Sequence, residues 1–265
     1  MRNIALITGA STGLGALYAD RFARRGHDLI LVARDAARLE ALAAKLRTET
    51  DREVEVLPAD LTNDADVAKV AVRLADDPAI TVLVNNAGMS LNGGILDNEA
   101  LQLQRIIRLN VETPTLLASA AGKAFATRGA GAIINIASVL ALAPEQFDGV
   151  YSGTKAYLLN LSQSLAAQLE GKGVRVQAVL PGATRTEIWE RSGKDIDTIL
   201  PPEAVMEAPD LVDAALLGFD RGETVTIPPL ADEGLWTAFT AARHAMGPHL
   251  SRRDVAPRYR ETAAA

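Results

Sequence analysis

Tyr151-Ser152-Gly153-Thr154-Lys155 sets a phenol and an ammonium group four residues apart, with Ser138 thirteen positions upstream. On a helix, positions i and i+4 share a face, so a helical segment here stands the cation beside the phenol. A phenol ionises at a pKa of about 10, and a neighbouring positive charge favours its ionised form. The pair is therefore one way to build a proton donor and acceptor usable near neutrality. Exposed helices carry such pairs by chance, so its meaning depends on what else the chain supplies.

A second chemical feature is Thr8-Gly9-Ala10-Ser11-Thr12-Gly13-Leu14-Gly15, which follows an apolar run and opens a helical pattern. Glycines permit a tight turn and close approach of backbone N–H groups to phosphate oxygens, while a helix N-terminus favours negative charge. The spacing G-x-x-x-G-x-G differs from the more familiar G-x-G-x-x-G, and an ordinary glycine turn is the competing reading. Its position between strand and helix favours nucleotide binding through Gly9, Ser11, Thr12, Gly13, Leu14 and Gly15. At the end of the second apolar run the chain reads Val32-Ala33-Arg34-Asp35. An acidic residue there would accept from the adenosine ribose hydroxyls, whereas an arginine could pair with a 2′-phosphate. Arg34 favours NADP(H), and Asp35 leaves NAD(H) as the alternative. Asp60 and Leu61, after the third run, are expected at the adenine edge, or else Asp60 only shapes the turn.

The elements that must position these groups alternate regularly. Strand candidates are 4–8, 29–33, 54–57, 82–85, 132–137, 174–180 and 224–227; helical spacing recurs over 14–25, 36–48, 65–76, 99–127, 151–170 and 209–220. Strand-helix alternation predicts a parallel sheet covered on both faces, and right-handed crossovers make it an α/β doubly wound sheet of about seven strands. No Pro-, Gly- or Ser-rich linker divides the chain, so residues 1–265 are read as a single domain. Within it, 184–208 loses periodicity around Pro201-Pro202 and is expected to be a substrate lid, since long irregular segments are usually functional or disordered. Residues 229–265, with Trp236, Phe239 and Tyr259, are read as a C-terminal extension, frayed over 261–265.

Composition narrows the function. The chain has 265 residues, 48% of them apolar, and a formal net charge of -6. That charge argues against nucleic acid or an anionic membrane as partner. The absence of cysteine excludes disulfides, thiolate catalysis and Cys-ligated zinc, and His27, His244 and His249 are too scattered to suggest a metal site. The apolar run after Met1-Arg2-Asn3 is too short for a secretory signal, and none approaches the roughly 20 apolar residues of a membrane helix. A cytoplasmic protein is expected.

Thr8-Gly9-x-x-x-Gly13-x-Gly15, Asn85-Asn86-Ala87-Gly88, Asn110, Ser138, Tyr151-x-x-x-Lys155 and Pro181-Gly182, in this order and at these intervals, resemble the short-chain dehydrogenase/reductase family. The resemblance runs to about residue 228 and rests on the joint occurrence of motifs that are individually weak. It implies a Rossmann fold, a nicotinamide cofactor and interconversion of a carbonyl and an alcohol. It makes Tyr151 the general acid/base, Lys155 the residue that lowers its pKa and binds the nicotinamide ribose, Ser138 the holder of the substrate oxygen, and Asn110 part of a proton relay. Asn85, Asn86, Ala87 and Gly88 would line the cofactor, with Pro181, Gly182 and Thr184 at the carboxamide. Thr12 departs from the basic residue often found in the glycine loop of NADP users, which leaves Arg34 to carry that preference.

Substrate contacts are expected from Ser138, Tyr151, Leu140, Gln146, Phe147, Ile188 and Trp189, with Met89, Ser90, Leu91 and Val139 nearby. Their balance suggests an apolar carbonyl compound. A 3-oxoacyl thioester reductase is an alternative, as is a cofactor-sensing binding protein that has lost the chemistry, although intact Ser138, Tyr151 and Lys155 disfavour the sensor. By resemblance, the helical stretches 99–127 and 151–170 form the interface of a homodimer or homotetramer.

Overall fold

The structure is a computed structural model that describes residues 3–146, 149–193 and 195–260. In chain order it contains β1 (Ile4–Thr8), α1 (Gly13–Arg24), β2 (Asp28–Ala33), α2 (Ala36–Thr50), β3 (Val54–Pro58), α3 (Asp64–Asp76) and β4 (Ile80–Asn85). There follow α4 (Ala100–Ile107), a π-helical turn (Arg108–Glu112), α5 (Thr113–Arg128), β5 (Gly131–Ile136), α6 (Gly149–Leu169) and β6 (Val174–Val179). The remainder is β7 (Thr184–Arg185), α7 (Ile188–Arg191), α8 (Ile196–Ile199), β8 (Met206–Glu207), α9 (Ala208–Asp220), β9 (Val225–Thr226) and α10 (Glu233–Met246).

Seven strands form one sheet in the order β3-β2-β1-β4-β5-β6-β9, parallel throughout. Successive side chains on a strand point to opposite faces, and β1 shows the consequence. Ala5 and Ile7 enter a core shared with Tyr18 and Phe22 of α1, Leu39 of α2 and Leu211 of α9. Ile4 and Leu6 enter the core on the other face with Val70 of α3 and Leu117 and Phe125 of α5. Both faces are thus buried, which is why the strands read as continuous apolar runs. The order reverses between β1 and β4, and the crevice beyond their carboxyl ends is where such sheets bind ligands.

Two stretches differ from the sequence expectation. The pattern over 99–127 is one helix by spacing but is split by the π turn at Arg108–Glu112, whose added residue leaves the apolar periodicity almost unchanged. The segment 184–208 is built rather than irregular. β7 and β8 pair in parallel through Thr184–Met206 and Arg185–Glu207, and Arg185 binds Glu207 at 3.0 Å and Asp197 at 2.9 Å. Strands of two residues are too short to register as periodicity.

The chain groups into two compact units divided after Pro229. The second contains α10, on which Trp236 and Phe239 stack at 5.5 Å. Among the described residues no helix is long and apolar enough to cross a membrane.

Candidate active site

The glycine loop sits at the sheet's reversal point, where two glycines provide a backbone that other residues rarely adopt. Gly9 has φ +65° and Gly13 φ +56°, the left-handed region. A Cβ at Gly9 would come within 2.8 Å of Asn86 Nδ2, and one at Gly15 would run into the Gly9 carbonyl. Asn86 is the clip that holds this turn: its Nδ2 donates to the carbonyls of Thr8 at 2.9 Å and Gly9 at 3.2 Å. The Thr8 hydroxyl, donating to Val84 O, accepts from the N–H groups of Asn86 and Ala87, both at 3.0 Å. Thr8 thus ties β1 to β4, a role its place in the glycine motif alone does not announce. The partly buried side chain of Leu14 packs on the core.

α6 carries Tyr151 and Lys155, and a polar ladder seats it on the sheet. Asn85 Nδ2 donates to Asn135 Oδ1 at 2.9 Å, Asn135 Nδ2 to Ser162 Oγ at 2.9 Å, and Ser162 Oγ to Leu158 O at 2.7 Å. Buried polar groups of this kind are costly unless partnered and orient their elements when they are. The side chain of Asn85, expected at the cofactor, is spent inside the sheet, because β4 and β5 place Asn85 opposite Asn135.

Ser138 lies two residues beyond β5, 6% exposed, and caps the following turn by accepting from Leu140 N at 3.2 Å. Its side chain is hydrogen-bonded to that of Tyr151. Lys155, 5% exposed, lies 5.6 Å from the centre of the Tyr151 ring and donates to Ile136 O at 2.8 Å. Burial pushes the Tyr151 phenol up to about 12 against the lowering effect of Ser138, and pushes the Lys155 ammonium down to about 8. Desolvation is the larger of the two effects on the phenol, and the Ser138 hydrogen bond opposes it.

Asn110 occupies the π turn, where the extra residue rotates its side chain inward. Its Oδ1 accepts from Met89 N at 3.0 Å, and its Nδ2 donates to Met89 O at 2.8 Å and Thr154 Oγ1 at 3.1 Å. Thr154 in turn donates to Tyr151 O at 2.7 Å, so Asn110 connects the loop after Gly88 to α6. A Cβ on Gly88 would stand 3.3 Å from Asn110 Oδ1 and 3.5 Å from Lys155 Nζ. The glycine loop, the N-terminus of α1 and the space kept open at Gly88 together form a cradle that fits a dinucleotide.

At the adenosine end, Arg34 is exposed beyond β2. Asp35 caps α2 by accepting from Arg38 N at 3.0 Å, the role that competed with ribose binding. The Asp60 carboxylate accepts from Thr62 N at 3.0 Å and Thr62 Oγ1 at 2.8 Å. Partial burial works to raise its pKa, but the Thr62 hydrogen bonds and the charges of Arg34 and Arg105 outweigh this and hold it low. Asp60 thus shapes its turn, and the Leu61 side chain is buried in the core at 4% exposure.

Around the far side, Val139 N donates to Pro181 O at 2.9 Å, and Thr184 Oγ1 donates to Gly182 O at 3.0 Å. Trp189 Nε1 donates to Thr184 O at 2.9 Å, which holds the indole against β7; Ile188 beside it is half-buried. Leu140 is half-buried and Gln146 exposed, while Phe147 lies outside the described residues. A cavity of about 600 Å³ in this segment is lined by Arg185, Thr186, Glu187 and Trp189 among others; Ser138 and Tyr151 are not among its lining residues. No group of three or more His, Asp or Glu residues able to hold a metal ion occurs among the described residues.

This fold and these side chains define a dinucleotide-dependent oxidoreductase. A family model described as short chain dehydrogenase matches residues 3–197, and the chain belongs to the short-chain dehydrogenase/reductase family. It is similar to a short-chain dehydrogenase from Sphingobium yanoikuyae solved in complex with NADPH, with 53% identity, a TM-score of 0.94, and 97% of this chain and 100% of that chain covered. The bulky-bulky ketone specific alcohol dehydrogenase from Comamonas testosteroni shows 46% identity and a TM-score of 0.89 over 97% of this chain and 98% of that chain. Human 17-beta-hydroxysteroid dehydrogenase type 3 is 31% identical over 208 residues, 77% of this chain but 66% of that enzyme's length.

Proposed function

We propose that the protein is an NADP(H)-dependent carbonyl reductase and alcohol dehydrogenase acting on apolar ketones with sizeable groups on both sides of the carbonyl. The observation that carries this reading is the hydrogen-bonded Ser138–Tyr151 pair beside buried Lys155. The similarity to an NADPH-bound dehydrogenase and a bulky-ketone dehydrogenase supports the choice of coenzyme and substrate. Gly9, Gly13, Gly15 and Gly88 leave the room for the coenzyme, and exposed Arg34 after β2 would pair with its 2′-phosphate.

When bound, the reduced coenzyme would supply the hydride that the carbonyl carbon accepts. Ser138 holds the carbonyl oxygen, a preorganised donor where negative charge develops. Tyr151 transfers its proton to that oxygen, completing the alcohol; oxidation runs the same steps in reverse. Lys155 stabilises the phenolate that remains and passes it a proton, and regains its own from solvent on the Asn110 side. The phenol's raised pKa suits a proton donor, and its ionised form gains from an ammonium that burial has already deprived of water.

Initial rates with NADPH and NADH in parallel, across small ketones, aryl ketones with two bulky substituents, aldehydes and 3-oxoacyl thioesters, test the reading. The bulky ketones with NADPH should give the highest kcat/KM. A preference for thioesters, or equal use of both coenzymes, would overturn it.

A further inference from the structure

Arg38 stands in the first turn of α2, four residues past Arg34, and its guanidinium is already engaged. Its Nη1 meets Glu187 Oε2 at 2.9 Å, and its Nε lies 3.5 Å from Asp35 Oδ2. Glu187 immediately precedes α7, which carries Ile188 and Trp189. One residue earlier, Thr186 lies against the glycine loop, where a Cβ on Gly13 would find its side chain at 3.6 Å. The stretch 186–187 therefore crosses from the glycine loop to the N-terminus of α2, from the phosphate end of the cradle to the adenosine end. A carboxylate on an arginine at that point is a competitor for any anion the arginine could bind.

Resting on the NADP(H) reading above, we propose that Glu187 is a coenzyme-specificity residue: its carboxylate is the counter-ion that a 2′-phosphate displaces from Arg38. A phosphomonoester carries a charge of about −1.5 to −2 at neutral pH and meets the guanidinium fork with two parallel hydrogen bonds. It outcompetes a single carboxylate for the same arginine. The pair is open to solvent, with 51% and 40% of the two side chains exposed, so the exchange needs little reorganisation. Glu187 weakens binding of the phosphorylated coenzyme without touching NAD(H).

The test is calorimetric titration of the full chain with adenosine 2′,5′-bisphosphate and 5′-AMP, which differ only in the 2′-phosphate, followed by NADPH and NADH. Glu187→Gln should tighten the bisphosphate and NADPH by about two- to fivefold, the range of exposed ion pairs, and leave 5′-AMP and NADH unchanged. Glu187→Ser should act with the same sign. Arg38→Gln should weaken the bisphosphate, and adding Glu187→Gln to it should change nothing further. A Glu187→Gln protein that binds the bisphosphate no better than wild type, or gains equally for 5′-AMP, overturns the proposal. If wild type itself does not prefer the bisphosphate over 5′-AMP, and Arg34→Gln has no effect on it, the NADP(H) reading has failed and takes the proposal with it. If that preference holds while Glu187→Gln is silent, only the role of Glu187 falls.

Discussion

Tyr151 and Lys155 are shifted in opposite directions by one cause, burial, and both shifts favour neutral side chains. Removing the phenol oxygen isolates the chemical step. Tyr151→Phe should lower kcat by about 10²–10⁴-fold, the range for a positioned proton donor, with coenzyme affinity by fluorescence titration within twofold of wild type. The Lys155 shift carries a stability signature. The folded ammonium loses its proton at about 8, the unfolded one at about 10.4. Between these values the unfolded chain binds the extra proton, so stability rises with pH. Wild type should gain on Lys155→Met by on the order of 2–3 kcal/mol between pH 8 and pH 10.5 in denaturant titrations. Tyr151, which produces the opposite slope above pH 10, is present in both proteins and cancels. A constant difference between the two proteins across that interval would refute the low lysine pKa.

Each catalytic side chain takes its place from an element that has its own reason to be rigid. α6 is seated by the Asn85–Asn135–Ser162 ladder, and between its Tyr and Lys lies Gly153, exposed, where an added Cβ would meet nothing within 4 Å. Gly153→Ala should therefore stabilise the protein by about 0.5–1 kcal/mol through helix propensity, raising the melting temperature with turnover retained. A loss of stability would mean that this face of α6 is covered. In the segment 184–208 the cross-link is Arg185, which binds both Asp197 and Glu207. Arg185→Ala should speed amide hydrogen exchange over 196–207 and raise KM for a bulky ketone several-fold, with the exchange of β1 and β4 unchanged. Unaltered exchange in 196–207 would show that the two ion pairs do not hold the segment.

For the whole molecule, α4, α5 and α6 leave Leu101, Leu116 and Tyr157 exposed, at 77%, 54% and 39%. Such apolar residues on neighbouring helices suit a self-complementary interface. Light scattering should give a dimer or tetramer, and Leu116→Asp should shift it towards the monomer; a wild-type monomer at tens of micromolar would refute this. The overall architecture was legible in the sequence because the central strands β1, β2, β4 and β5 are buried on both faces and so read as nearly continuous apolar runs. The glycine loop and Tyr151/Lys155 pair were legible because their chemistry requires particular residue types at fixed spacing. The π turn was not, because one added residue hardly disturbs helical periodicity. β7 and β8 were not, because two residues cannot show a period.

Residue types and spacing alone determined that a phenol and an ammonium share a helix face, that glycines open the first helix, and that an arginine ends the second strand. Only the tertiary structure decided what those groups experience. Burial raises the pKa of the phenol against the hydrogen bond from Ser138; the Asn85 side chain is taken up by Asn135 fifty positions away; and Arg38 meets Glu187 across 149 positions of sequence. Spacing along a chain specifies local geometry, whereas burial and long-range pairing exist only after the sheet has closed, and these set the protonation state and the availability of each side chain.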